Sequence, residues 1–166
     1  MHRPESRAGW AALGAWLLLG GTWIVAGGLK LPDPAGSVRA VRAYQLLPEA
    51  AVPAVGYGLP VLEFALGLLL VLGVAVRMSA ILSAVLLVAF IVGVTSAWAR
   101  GLTIDCGCFG GGGTVAAGQT RYGTEILRDA ALLVVAAALA CWPSGPLTPS
   151  QRTTRKEDEH VHANQA

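Results

Sequence analysis

Polar and apolar positions along this chain are segregated into blocks. Four apolar blocks run roughly from Ala8 to Leu29, Val52 to Val76, Ser79 to Ala99 and Thr124 to Trp142. Each approaches or exceeds the ~20 residues that cross ~30 Å of hydrocarbon as a helix. Backbone polar groups in lipid must be satisfied within the segment, which selects helices over open strands. The pattern predicts an all-α membrane protein: a four-transmembrane-helix bundle over 8–142 (helices at 8–29, 52–76, 79–99 and 124–142), a short tail at 1–7, and a polar, disordered tail at 143–166. Arg3 and Arg7 ahead of the first block suggest a secretory signal. That block is longer than a signal core, however, and no small-x-small cleavage site ends it before Lys30, so it reads as a retained helix.

The connections refine this plan. A turn around Arg77 and Met78 makes the second and third helices an antiparallel hairpin. The 30–51 connection opens Lys-Leu-Pro-Asp-Pro, and its prolines stop the first helix. From Ser37 to Leu47, Val38, Val41, Leu46 and Leu47 fall on one side at helical spacing, with Arg39 and Arg42 toward the other. This predicts a short helix along the membrane interface, with Tyr44 at that level. Glycines inside the apolar blocks (Gly14, Gly20, Gly21, Gly67, Gly73 and Gly93) predict close helix–helix approach.

Composition agrees. Hydrophobic residues make up 54% of the 166 and charged residues 13%, against about 25% charged in a soluble domain. Membrane lipid is the partner this implies. A net charge of +2 without a basic stripe argues against nucleic acid. Four spans place both termini on one side, but Lys and Arg divide six against six between the two sides, so the positive-inside rule gives a tie. Arg3 and Arg7 favour cytoplasmic termini, which makes the loop between the third and fourth helices extracytoplasmic.

That loop holds the candidate chemistry, Ile104-Asp105-Cys106-Gly107-Cys108-Phe109-Gly110. Thiols one residue apart close only a small, strained ring, and Gly107 gives the backbone the freedom this needs. Strained disulfides are the readily reduced ones. Asp105 raises the thiol pKa by repulsion, whereas Arg100 or Arg121 folding back lowers it. Three readings stay open: redox exchange at Cys106 and Cys108, a permanent bridge that shapes the loop, and a metal site. A structural zinc site needs four ligands, and His2, His160 and His162 all lie in the tails on the opposite side, so no metal is expected. Cys141, near the far end of the fourth helix, reads as an apolar filler.

Among the charges within the apolar blocks, three stand out. Glu63 lies in the second, three residues after Pro60, and must face the bundle interior or be protonated, since a charge at that depth costs ~2.5–3.5 kcal/mol on insertion scales. Arg128 and Asp129 begin the fourth. Adjacent residues do not share a helical face, so each is expected to find its own partner, with Glu63–Arg128 the leading pair.

Several strings together resemble the MauE branch of the DoxX-like membrane proteins, named for methylamine utilisation. They are Lys30 with Asp33-Pro34, Arg42-Ala43-Tyr44, Leu46-Leu47-Pro48, Pro60, Glu63-Phe64-Ala65-Leu66-Gly67, Asp105-Cys106-Gly107-Cys108-Phe109-Gly110, Arg121-Tyr122 and Arg128-Asp129. The resemblance covers roughly 8–142. It implies a four-helix bundle and a role in maturing or exporting the disulfide-rich small subunit of methylamine dehydrogenase. The plan is also similar to that of the DsbB and vitamin K epoxide reductase group, which passes electrons between thiols and quinone, although this chain has Cys-x-Cys and no cysteine in the 30–51 loop.

The expectation is a thiol–disulfide exchange protein of the bacterial plasma membrane. Cys106 and Cys108 react, and Asp105, Gly107, Phe109, Glu63, Arg128 and Asp129 support them. The partner is a thioredoxin-like protein or an exported disulfide-containing client, and quinone is the candidate cofactor. The alternatives are a non-enzymatic subunit or export chaperone with a structural bridge, and a proton-linked transporter using Glu63.

Overall fold

A computed structural model describes residues 5–116 and 118–141. The tail expected at 143–166 and the first four residues lie outside the described residues. The elements in chain order are α1 (Glu5–Lys30), α2 (Pro34–Ala43), α3 (Val52–Val71), α4 (Val76–Ala99), β1 (Ile104–Asp105), β2 (Gly113–Thr114) and α5 (Tyr122–Cys141). The protein is mostly helical, and β1 and β2 pair antiparallel within the cysteine loop.

Among the described residues three helices are long and apolar enough to cross a membrane: Leu13–Lys30 within α1, α3 and α4. The fourth expected span, α5, is as long as α3 but carries Glu125, Arg128 and Asp129 in its first two turns. Length and composition therefore support three spans, not four. Large apolar side chains project from the outer faces of the helices, including Leu18 on α1, Val61 on α3, Val85 and Val92 on α4, and Leu127 and Val134 on α5. Apolar surface on this scale fits a lipid solvent.

Helix ends follow local chemistry. The α3–α4 turn lies at 72–75, earlier than the Arg77–Met78 expected from charge. Gly73, expected as a packing glycine, instead ends α3 at φ 68°. The N–H of Val74 donates to the Leu69 carbonyl and that of Gly73 to the Leu70 carbonyl, each at 2.9 Å, so the last carbonyls are satisfied by a left-handed cap. Gly101 closes α4 in the same way. At α2, Asp33 Oδ1 accepts the Gly36 N–H at 2.8 Å and Pro34 occupies the first turn. This is a side-chain cap with proline where its missing N–H costs nothing.

Packing runs mainly in two helical pairs, α1 on α3 and α4 on α5. Trp16, Leu19, Trp23, Leu66, Leu70, Leu87, Leu132 and Leu139 form the shared core, and the Trp23 indole N–H donates to Ser83 Oγ at 2.8 Å across α1 and α4. Glycines set the α1–α3 distance. A Cβ on Gly67 would sit 2.6 Å from the Ile24 nitrogen and 2.7 Å from the Gly20 carbonyl oxygen, and one on Gly27 would meet the Pro60 carbonyl oxygen at 2.7 Å. Backbone cannot yield as a flexible side chain can. Gly67→Ala is therefore expected to destabilise by about 1–3 kcal/mol, whereas Gly21→Ala, with open space around it, is neutral or better. Thermal unfolding of the two variants in detergent compares them.

The short helix α2 has the expected exposed Arg39 and Arg42 and buried Val38. It runs over Pro34–Ala43, however, so Leu46 and Leu47, expected on its apolar side, fall beyond it and are exposed, the chain turning at Gln45 with φ 51°. It lies close on α3, where a Cβ on Gly56 would reach Val38 Cα at 2.7 Å. Its buried face also supports the cysteine loop.

Candidate functional site

The loop from β1 to β2 folds back on α2. Gly107 and Gly112, both at positive φ, press against Ala40; a Cβ on either would lie 2.9 Å and 2.6 Å from the Ala40 Cβ. The glycine-rich sequence thus admits a close backbone approach, and the approaching surface is the chain's own α2. Asp105 Oδ1 accepts the Gly107 N–H at 3.2 Å and caps the turn. The Tyr44 hydroxyl donates to the Cys106 carbonyl at 3.2 Å. Burial raises the Tyr44 pKa, and the neighbouring sulfurs raise it further, so the phenol stays a donor. Arg100 donates to the Tyr44 carbonyl and at 3.2 Å to the Ser96 carbonyl. It is therefore a brace and does not pair with a thiol.

Cys106 and Cys108 are both half-buried free thiols, and the Cys108 N–H donates to Cys106 Sγ at 3.3 Å. The two thiols are unequal. The Cys106 side-chain hydrogen bond holds the Cys108 thiol below its usual pKa; Arg128 and Lys30 also lower it, against burial and Asp129. Cys106 is pushed up, first by giving its proton to that hydrogen bond, then by burial and the Cys108 charge. Cys108 is thus the more readily ionised sulfur and Cys106 the donor that favours its ionisation. The sequence offered Arg100 and Arg121 for this role, but the cations beside Cys108 come from α1 and α5.

The intramembrane charges pair differently from expectation. Glu63, fully buried, receives the Lys30 ammonium at 2.7 and 2.8 Å, and Lys30 is itself 6% exposed. The expected Glu63–Arg128 pair does not form. Arg128 instead folds back on its neighbour, with Nε and Nη2 at 2.9 and 2.8 Å from Asp129 Oδ1. Adjacent residues point apart on a helix, but the arginine stem is long enough to close the angle. The guanidinium also lies 4.8 Å from the centre of the Phe109 ring, which locks the residue after Cys108 onto α5. Glu63, Arg128, Asp129, Phe109 and Cys108 all line one narrow void of about 20 Å³. Of the other residues expected from sequence, Cys106 and Gly107 border a different cavity together with Lys30, and Asp105 is exposed.

Lys30 was visible in the sequence only as a loop cation. Its depth depends on α1 continuing to residue 30, where the Leu31 N–H still bonds the Gly27 carbonyl at 2.9 Å. Sequence reasoning also missed Glu125. Its carboxylate lies with Asp105 and Cys106 in a cluster whose ligating atoms are within 4.8 Å of one another. Asp105 and Glu125 lie beside Cys106, whereas Cys108 shares a void with the Arg128–Asp129 pair.

A second, larger cavity of about 250 Å³ opens on the other side of the thiols, between α2, α3 and α4. Its walls are mostly apolar (Val41, Leu47, Leu59, Phe90), and Lys30, Tyr44, Cys106 and Cys108 border it. Ser37 also lines it, with a buried hydroxyl that has no hydrogen-bond partner. Cys141, by contrast, is exposed at the last residue of α5 and takes no part.

A family model described as methylamine utilisation protein MauE matches residues 8–143, which include every element and residue of this site. The chain belongs to the MauE family. No curated protein and no solved structure matches it. Within this MauE protein, the Cys-Gly-Cys loop is held from three directions, by α2 beneath it, by α5 through Phe109 and Arg128, and by Tyr44 at the end of α2.

Proposed function

We propose that this MauE protein is a membrane-bound thiol–disulfide exchange protein acting on an exported, disulfide-containing client or a thioredoxin-like partner. The single observation that carries this reading is the unequal thiol pair: two free cysteines linked by the Cys108 N–H to Cys106 Sγ, one beside the Arg128–Asp129 ion pair and one beside the Glu125 carboxylate. A bridge with only a structural task needs no such asymmetry. In the reducing direction the Cys108 thiolate attacks a client disulfide. A Cys108–client bond forms, the client bond breaks, and the departing sulfur takes a proton. Cys106 then gives up its proton and attacks Cys108, releasing the second client thiol and leaving Cys106 and Cys108 joined. Two electrons pass to the client, with one proton from Cys106 and one from solvent, and the oxidising direction is the reverse.

The larger cavity supports quinone as the source or sink of those electrons. Ser37 Oγ and Lys30 Nζ would hold its oxygens, and Leu46, Leu47 and Val55 at the rim would face its tail. A bound quinone supplies a two-electron, two-proton couple next to the thiols.

We place α5 as the fourth span. Its outer face is apolar, Asp129 is buried and Arg128 is paired. Lys30 and Arg128, paired inside the bundle, then leave the positive-inside count. Six cations remain on the side of the termini against Arg39, Arg42, Arg100 and Arg121 on the loop side. That excess favours cytoplasmic termini and an extracytoplasmic thiol pair.

Cys106→Ser leaves the attacking thiol without its resolving partner. It is expected to accumulate a mixed disulfide with the client in intact cells, seen as a reducible higher-mass band, and a membrane-impermeant thiol reagent should label wild-type Cys108 from outside. A pair that stays oxidised in every condition, with Cys106→Ser and Cys108→Ser both fully functional, would instead establish a structural bridge.

A further inference from the structure

We propose that Glu125 is the proton acceptor that activates Cys106 for closing the Cys106–Cys108 bond. This deepens the exchange reading and rests on it.

The chemistry of the site demands such a group. Once Cys108 is tied up in a mixed disulfide, Cys106 must attack as a thiolate. With Cys108 in the mixed disulfide, burial still disfavours ionisation of Cys106, opposed by the Cys108 N–H that its sulfur accepts: it is half-buried, and no cation contacts it among the described residues. A base within reach of its sulfur removes that obstacle, and only the correct geometry makes a carboxylate useful there.

Glu125 has that geometry. Its carboxylate lies within 4.8 Å of Cys106 Sγ, and Oε2 is buried with no hydrogen-bond partner, so one oxygen is free to take a proton. The position is fixed from two sides. The Tyr122 hydroxyl accepts the Ile104 N–H at 3.1 Å and donates to the Leu102 carbonyl, which ties the first turn of α5 to the strand leading into the cysteines. Asp105 is the other carboxylate in the cluster, but it is exposed and already accepts the Gly107 N–H. Asp129 also has a partnerless oxygen, Oδ2, but it lines the void with Cys108 and is outside the Cys106 cluster, and its Oδ1 holds Arg128. Lys30 of α1 binds Glu63, Arg100 of α4 binds backbone carbonyls, and Tyr44 donates to the Cys106 carbonyl.

The step balances. The Cys106 S–H bond breaks and its proton moves to the Glu125 carboxylate. The sulfur pair forms the bond to Cys108, the Cys108–client bond breaks, and its electron pair leaves with the client sulfur. Glu125 then returns the proton to that sulfur directly or through water. In the opposite direction, protonated Glu125 delivers the proton to Cys106 as it departs.

The test follows the lifetime of the mixed disulfide in the full-length protein in lipid nanodiscs, using glutathione disulfide as substrate and acid quenching with mass detection. Glu125→Gln is expected to form the mixed disulfide within about twofold of the wild-type rate and to resolve it at least about tenfold more slowly near neutral pH. The deficit should shrink as pH rises, because hydroxide then ionises Cys106 unaided. Glu125→Asp should recover part of the rate. Resolution at the wild-type rate in Glu125→Gln overturns the proposal. So does a slowing that is constant with pH and equal in Glu125→Asp, since that marks a purely structural role. Cys106→Ser separates this from the parent reading: a stable mixed disulfide in that variant upholds exchange whatever Glu125 does, and its absence there removes both.

Discussion

Lys30→Met is expected to destabilise the folded bundle by about 3–5 kcal/mol, the cost of leaving a buried carboxylate without its counter-ion. Glu63 is fully buried and both its oxygens are held by one ammonium. Among the described residues, the cation lining the void beside Glu63 is Arg128, and it is bound to Asp129. Glu63→Leu strands the ammonium in the same way, and its loss should be of similar size. The double variant Lys30→Met with Glu63→Leu removes both charges at once. It should recover most of the stability, to within about 1 kcal/mol of wild type, because a buried pair and a well-packed apolar substitute are often close in energy. Thermal or denaturant unfolding of the four proteins in one detergent gives the coupling directly. Additive single losses would show that the pair is not coupled. The same set bears on the transporter reading. A carrier site must release its proton to water, whereas the void beside Glu63 holds about 20 Å³, room for roughly one water. The double variant is therefore expected to retain thiol exchange at a reduced rate, since Lys30 also favours ionisation of Cys108, whereas a proton carrier would lose its function completely.

Much of this architecture was legible as sequence because it is written in local pattern. The four helices follow from apolar runs, the stop at residue 30 from two prolines, and the amphipathic α2 from the spacing of Val38 and Val41 against Arg39 and Arg42. The reactive pair was legible because Cys-Gly-Cys is contiguous. What the sequence concealed is partner choice. Glu63 could be seen to need a cation, and Arg128 was the expected one; the packing of α1 against α3 brings Lys30 to it instead. That packing depends on backbone approach at Gly27 and Gly67, which no residue pattern measures. Arg128 turned back to Asp129 because the long guanidinium stem overrode the angular separation of neighbours. Gly73 was misread for a subtler reason. In an apolar run a glycine can pack a helix or end it, and only the positive φ distinguishes the two. Glu125 carried no signal of its own, since its role depends on Tyr122 fixing α5 to the loop. The count of spans also hinges on α5, where three charges near the start of an otherwise apolar helix leave hydropathy undecided.

At neutral pH a small neutral alkylating reagent such as iodoacetamide is expected to modify Cys108 about tenfold or more faster than Cys106. Only the thiolate reacts. The Cys108 pKa is lowered by the Cys106 hydrogen bond and by Arg128 and Lys30, while that of Cys106 is raised. The pH dependence has a definite sign. A lowered pKa means that Cys108 remains ionised as pH falls through the ordinary thiol value of about 8.5, so its rate declines only at more acid pH. Cys106→Ala removes the donor and should move the Cys108 midpoint upward. Cys106→Ser keeps a hydroxyl donor and should move it less. Arg128→Gln should also raise the midpoint, and it releases Phe109 from its cation, so the loop should become more open to reagent even as the thiolate fraction falls. Peptide mapping after timed alkylation across pH 5–10 reads these effects separately. Cys108→Ser is the severe variant, expected to reduce exchange to the background rate, because the remaining Cys106 is both protonated and deprived of the thiolate it stabilises. Faster labelling of Cys106 than of Cys108 at neutral pH would reverse the order of attack. It would make Cys106 the sulfur that meets the client and leave the cations on the wrong side of the pair for this mechanism.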